Sequence, residues 1–414
     1  MRKLHGAVAD DSAMRRIQRL QPAFGVGEKV FPPTYAPRSK DEDAPPEHCF
    51  ERRAIPEMGE VWCCIMDSIP SQANRHEHSL LSITRAGEIE IPYVYVDFAG
   101  FGVEPEVLTT LEVPHRIYDA FMRDSLLDGT KFLESELGLR IVAATPEDAT
   151  PLLETSPNTL VFGGWHTQGV HGGSGAKFQR CMQSEIIAIN VPVDVIEDGR
   201  PGRAPSIRTT TRRTSSRRDP AGIQKKVPIY PTDNKDWDTQ KPDGKKSVKP
   251  IRPSEINHGS ITPDFVSQGI TMEYAEQRLG LSLAALRRLR FGSPEKSVAA
   301  RLYLAATALL SVTVQDEGDQ YSLRSGCDLT PAEPAPWELL HRDGKTEMFT
   351  LSRANAIELY RTTFQELRRV GFNIPSKPIR LSPRPQLVDL IRKSQDPLFD
   401  GEEPANKAKE GGEA

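Results

Sequence analysis

Hydrophobic and polar positions alternate with two different rhythms along the chain. Between residues 1 and 198, short apolar runs are separated by loops. Val61-Trp62-Cys63-Cys64-Ile65-Met66 is unbroken and suits a central strand, and Ser184 to Val191 is a second strong strand. Ile89 to Val96 and Leu139 to Ala143 are weaker strands, while Ile117 to Leu127 places Ile117, Ala120 and Phe121 on one helical face. Beyond residue 250 the period becomes helical. Leu281 to Leu289 and Val298 to Val312 carry apolar residues at helical spacing, and the second is apolar almost all round, which predicts a core element. Ser352 is placed to cap a helix running to about Val370, in which Ile357, Tyr360, Phe364 and Leu367 share a face and Gly371 supplies the stop.

Composition narrows the class. The 414 residues include 37% hydrophobic positions, 34 Pro, 30 Gly and five Cys, which describes a globular, loop-rich protein and excludes collagenous, fully disordered and disulfide-stapled chains. That length predicts two or three domains, or one domain with long insertions. The most apolar stretch, Tyr303 to Val314, contains Thr307, Ser311 and Thr313 and is shorter than the roughly 20 residues a bilayer requires, so no membrane span is expected. Asp10, Asp11, Arg15 and Arg16 interrupt the first 20 residues where a secretory signal would be apolar. An odd number of cysteines without a Cys-x-x-Cys clip predicts neither disulfides nor a zinc site and fits a reducing cytoplasm.

Charge divides the molecule. The net charge is −4, yet residues 200–250 hold 14 Lys and Arg against five Asp, which leaves the remainder strongly acidic. This Pro-, Ser- and Thr-rich stretch lacks an apolar period and reads as a mobile basic insertion, either a solvated linker or an arm that orders on a polyanion through Arg208, Arg212, Arg213, Arg217 and Arg218. The expected organisation is therefore a first part over 1–198, the insertion over 199–250, a mainly helical part over 251–398 that completes the core, and a disordered tail over 399–414.

Three segments carry candidate chemistry. Asp67 to Arg75 follows the apolar strand, with Pro70 suited to a first helical turn, so Ser71, Asn74, Arg75 and His78 fall on one polar stripe beside Gln72. Free amides at a helix start, an amide side chain and an arginine can hold phosphate oxygens; capping and internal hydrogen bonds explain the same pattern. Pro114-His115-Arg116 repeats the combination of cation and backbone donors, although Arg116 can equally hold a carboxylate such as Asp119. Phe162-Gly163-Gly164-Trp165 opens a loop with six glycines between positions 163 and 175, closed by Lys177 and Arg180. The loop departs from a nucleotide-binding P-loop because Gly175 is followed by Ala176-Lys177-Phe178. It is either an aromatic and cationic tip for bases and phosphates or a plain hairpin with Trp165 in the core. The pairs His76/His78 and His166/His171 have no recognised ligand spacing, and no Gly-x-Ser-x-Gly elbow occurs, so no metal, cofactor or catalytic residue is expected. Asp67 is the one acidic residue beside the polar stripe that could assist RNA cleavage, and a capping carboxylate is the stronger reading of it.

These motifs, in order with Phe31-Pro32-Pro33-Thr34-Tyr35, Ser184-Glu185, Ile256-Asn257-His258-Gly259, Leu286-Arg287-Arg288-Leu289-Arg290-Phe291 and Leu323-Arg324-Ser325-Gly326-Cys327-Asp328-Leu329, resemble the backbone subunit of type I-G (formerly I-U) CRISPR Cascade complexes, in the Cas-seven group of the RAMP superfamily. The resemblance covers about residues 15 to 340. It departs at Ile69-Pro70, where the family pattern would have Val-Gln. The resemblance implies an α+β fold, with an RRM-like (ferredoxin-like) palm, inserted finger and thumb segments and a helical C-terminal part. It further implies a non-catalytic, antiviral role binding CRISPR RNA, with copies of itself in a helical filament, a large subunit and a Cas-five/Cas-six-type subunit as partners, and target DNA met through guide pairing. The residues expected at the RNA are Ser71, Gln72, Asn74, Arg75, His115, Arg116, Trp165, Lys177 and Arg180. The alternative is a metal-dependent RNA endonuclease of the type III backbone kind; a third is a protein scaffold whose basic arm recruits an acidic partner.

Overall fold

The computed structural model describes residues 1–36, 46–166, 177–196, 206–208, 212–213, 220–224, 226–232, 236–241, 248–256, 258, 265–266, 268–318 and 321–396. The architecture is mixed α and β. Two compact units share the chain: Met1–Val26, Ile65–Ile189 and Tyr274–Ala414 form the first, and Gly27–Cys64 with Asn190–Glu273 form the second.

The main sheet is built from β1 (Ala13–Pro22), β2 (Gly59–Asp67), β3 (Met182–Ile189), β4 (Tyr274–Ser282), β5 (Ser322–Arg324) and β6 (Cys327–Pro331), in the spatial order β5-β6-β1-β4-β3-β2. β4 is antiparallel to both β1 and β3 along nearly its whole length. On its other edge β1 is shared, pairing with β6 at Leu20 to Pro22 and with Trp337–Leu340 at Ala13 to Arg15. Helix α1 (Arg2–Asp10) precedes the sheet, and α2 (Ile69–Arg85) leaves the end of β2 to pack on β3. Four more helices complete the frame used below: α3 (Pro157–Phe162), α4 (Leu283–Arg288), α5 (Pro294–Glu317) and α6 (Arg353–Arg369). A smaller sheet in the same unit sets Ile379–Pro383 parallel to Val94–Asp97 and antiparallel to Ser125–Leu127, so the last strand completes a layer begun near the start.

Helix α5 is the centre of this unit. It is long and apolar enough to cross a membrane, but 89% of its most apolar window is buried inside the protein. Its partner α6 starts at Ser352, whose side chain accepts from Asn355 N, and ends before Gly371 at φ 83°. Between the two helices the Tyr303 hydroxyl lies 2.9 Å from that of Tyr360, which donates onward to Glu90 O at 2.7 Å. Both buried phenols thereby keep a partner.

Three sequence expectations need correction. Leu139 to Ala143 is not a strand: it lies in the helix Glu136–Val142, started by Ser135 accepting from Gly138 N. Ile117 to Leu127 is not one helix, because Arg116 takes φ 56° and Asp119 caps a single new turn, Ala120–Arg123, before the strand Ser125–Leu127. Of Ile89 to Val96 only Val94 onward is strand, since Pro92 lacks the N–H a ladder requires.

In the second unit, Phe50–Ile55 forms a hairpin with the first half of β2, and His48 Nε2 accepts from Gly269 N at 2.8 Å. Of the basic stretch, Ser206–Arg208 pairs with Asp194–Ile196, and Arg212–Arg213 pairs with Phe265–Val266. Arg217, Arg218 and the tail beyond residue 396 lie outside the described residues.

The space between the main sheet, α2 and α5 is partly polar. Gln72 Oε1 accepts from Ser184 at 3.0 Å and from Gln277 at 2.8 Å, and Gln277 also donates to Gln315 at 2.9 Å. Tyr321 donates to Asp316 at 2.8 Å, and Arg16 reaches the other Asp316 oxygen at 2.5 Å. His76 sits in the same interior, fully buried and stacked on Phe162 with 6.1 Å between ring centroids. Neither of its ring nitrogens has a hydrogen bond, although the Ser311 carbonyl lies close enough to favour the proton somewhat. Burial dominates and, with the charge of Arg16, brings its pKa down from 6.5 to about 3. Below pH 6.5 the unfolded chain takes up a proton that the folded chain refuses. This contribution to stability is therefore intact above about pH 6.5 and declines as pH falls towards 3, by about 1.4 kcal/mol per unit. Urea denaturation should show wild type losing about 2 kcal/mol more than His76→Phe between pH 7 and pH 5; parallel pH profiles would contradict the assignment.

Candidate nucleic-acid interface

The end of β2 and the start of α2 bring Asp67, Gln72 and Arg75 together. Asp67, buried, accepts from Gln72 Nε2 at 2.5 Å and from Arg75 Nε at 2.8 Å. Arg75 also donates to Leu323 O at 2.9 Å, so its guanidinium ties α2 to β5. Among the expected RNA contacts, Gln72 therefore belongs to the interior and Arg75 is committed to a carboxylate and a strand end. Ser71 and Asn74 are half-buried and His78 is exposed, on the outward stripe of α2.

One turn further along α2, Glu77 is completely enclosed. Arg116 grips it through two bonds of 2.6 and 2.7 Å, and Asn158 Nδ2 adds a third at 2.7 Å. Burial raises the Glu77 pKa against the pull of Arg116 and Asn158. Arg116 thus holds a carboxylate, one of the two roles its sequence context allows, but the carboxylate is Glu77. Asp119 instead accepts from His115 N and Phe121 N, leaving the His115 side chain exposed.

The remaining arm of Arg116 donates to Gly163 O at 3.0 Å. Gly163 has φ 91°, and a Cβ on Gly164 would lie 2.4 Å from Thr159 Cγ2. Both positions therefore require glycine, and together they turn the chain sharply out of α3. The turn leads into a hairpin in which Gly164–Trp165 pairs with Lys177–Phe178. Phe178 is buried and anchors it, whereas Trp165 is 60% exposed, with Lys177 Nζ 5.2 Å from the ring centroid. The core placement of Trp165 is ruled out. Arg180 is also exposed, its stem against Gly163, and burial together with the Arg116 charge lowers its pKa.

Beside this hairpin lies a cleft of about 920 Å³, lined by Trp165, Lys177 and Gln179 from the hairpin segment and by Arg287, Arg288 and Arg290 from the end of α4 and the residues just after it. In the sequence, the arginines of Leu286 to Phe291 enter only as part of a resemblance. Their role as a cleft wall carries no local signal, because it arises from α4 packing opposite a hairpin about 110 residues earlier. Among the described residues there is no group of three or more His, Cys, Asp and Glu able to hold a metal.

Residues 14–193 match the family model described as CRISPR-associated protein GSU0053. The match supports a CRISPR-associated protein and spans β1 to β3, including Glu77, Arg116 and the Trp165 hairpin, while Arg287, Arg288 and Arg290 lie beyond it. No curated protein matches the chain.

Arg116→Ala would leave Glu77 buried with no counter-ion and only the Asn158 hydrogen bond, and should cost about 3–5 kcal/mol in urea denaturation. Replacing both residues by Leu should cost much less than this single change. Amide exchange at residues 163–165 and 177–180 should accelerate in Arg116→Ala; protection equal to wild type there would mean that Arg116 does not hold the hairpin.

Proposed function

We propose that the protein is the backbone subunit of a type I-G CRISPR Cascade complex in the cytoplasm, with the main sheet and α2 as an RRM-like palm. It binds CRISPR RNA without reading its sequence. The observation that carries this is the cleft, whose lining combines an exposed tryptophan and a lysine with three arginines, and in which Glu147 is the one acid among the described residues. Such a surface offers a stacking face and charge but few groups that distinguish one base from another. The guide's base edges remain available for pairing with target DNA.

Copies of the subunit side by side would multiply a modest grip into a stable one, and a head-to-tail contact between identical chains extends as a filament. The large and Cas-five/Cas-six-type subunits complete the assembly in this reading. Ser71, Asn74, His115, Trp165, Lys177 and Arg180 are proposed to face RNA. Gln72, Arg75 and Arg116 act behind them as positioning residues. The basic stretch with Arg208, Arg212, Arg213, Arg217 and Arg218 is proposed as an accessory contact to nucleic acid. The chain holds RNA rather than cuts it, a reading supported by the burial of Asp67 and its bonds to Gln72 and Arg75.

The test is co-expression of the full chain with its operon neighbours and a CRISPR array, then analysis of the RNA that co-purifies. Guide-length RNAs with different spacers should be retained equally. Their release on raising salt should follow the steep log-linear dependence of phosphate contacts, about 0.7 per contact for a single strand. A particle free of RNA, or one retaining a single spacer sequence, would overturn the proposal.

A further inference from the structure

The lining of the cleft divides by chemistry. Trp165, Lys177 and Gln179 bring an indole, an ammonium and an amide to it, while Arg287 and Arg288 at the end of α4 and Arg290 just beyond bring guanidinium groups. Among the described residues, four cations and one acid line the space, an excess of three positive charges.

The guanidinium groups are not equally available. Arg287 donates to Val8 O at 2.9 Å and so holds the end of α1. Arg288 donates to Gln179 Oε1 over a long 3.3 Å and is otherwise exposed. Arg290 is exposed, and its guanidinium has no hydrogen-bond or ion-pair partner among the described residues. Its backbone, by contrast, is fixed: Arg290 N donates to Pro146 O at 2.8 Å and Arg290 O accepts from Ala149 N at 2.9 Å. Nearby, burial and the charges of Arg287 and Arg290 lower the pKa of Arg301, which donates to Leu289 O at 2.7 Å.

We infer that Arg288 and Arg290 form a phosphate-binding wall for one single-stranded RNA segment, whose base stacks on Trp165 across the cleft. This rests on the RNA-binding function proposed above and adds to it residues that lie outside the family match. A guanidinium on a rigid backbone suits phosphate oxygens, which accept its parallel N–H donors. An indole face serves only a base that has left its own stack, which a duplex does not offer. Arg287 is a positioning residue, because its donor is already engaged with α1. The volume lies near the top of the roughly 300–1,000 Å³ range of ligand clefts, enough for a short length of chain.

The roles separate by salt dependence. Using full-length protein and a fluorescein-labelled 12-nucleotide RNA of mixed sequence, anisotropy titrations are run from 50 to 300 mM KCl. Arg288→Ala/Arg290→Ala should weaken binding at least tenfold at 100 mM and reduce the slope of log K against log salt by about 1.4, two contacts at about 0.7 each. Arg288→Lys/Arg290→Lys should keep most of the slope, which guards against misfolding as the cause. Trp165→Ala should weaken binding about 5- to 100-fold with the slope unchanged, and Trp165→Phe should do so less. A double Ala variant with the affinity and slope of wild type overturns this wall while leaving RNA binding elsewhere in place. Competition by poly-glutamate as effective as by RNA of equal charge overturns it in favour of an acidic peptide. A wild-type chain that binds no RNA, alone or with its operon neighbours, overturns the proposed function and this inference together.

Discussion

A carboxylate enclosed by protein must be matched by donors, and Glu77 meets that requirement in a way that organises everything around it. Its three bonds come from Arg116 and Asn158, which belong to segments far apart in sequence. Asn158 also donates to Thr110 O at 2.9 Å, so α2, α3 and the loop after Val107–Thr109 converge on one charge. Arg116 then has one arm to spare, and that arm holds Gly163, the residue at which the chain turns towards Trp165. The exposed tryptophan is thus positioned by an ion pair that never meets solvent.

A second polar layer fixes the sheet. Gln72, Gln277 and Gln315 come from α2, β4 and α5, and their amides satisfy one another in an otherwise apolar interior. A one-residue slip of β4 would turn Gln277 outward and leave its partners unsatisfied, so the layer specifies register as well as contributing stability. Arg16 and Asp316 extend the layer to β1. These groups resemble binding residues in type, yet their hydrogen-bonding capacity is consumed inside the protein.

The surface left for a ligand consequently differs from the stripe that sequence spacing suggests. On α2 Arg75 is held by Asp67 and β5, whereas Arg288, Arg290 and Lys177 carry exposed positive charge at the cleft. In the proposed role, a ribose-phosphate chain in this cleft would meet both guanidinium charge and a flat aromatic. That is a suitable pairing for holding a guide whose sequence varies.

Periodicity alone was enough for the long regular elements: β2, β3, α5 and α6 sit where their apolar pattern puts them, with Ser352 and Gly371 bounding α6, because each buries a continuous apolar face. It was silent on β1 and β4, whose buried faces include Arg16, Gln18 and Gln277 while Ile17 points outward. A polar interior inverts the pattern on which strand recognition relies. Residue type also identified Arg75, Arg116 and Trp165 as notable, but their roles were set by partners distant in the chain. Whether an arginine is a ligand contact or a structural counter-ion depends on where a carboxylate such as Glu77 comes to rest. Only the folded arrangement, which brings α4 opposite the hairpin and buries Glu77 beneath it, decided which cations remained exposed.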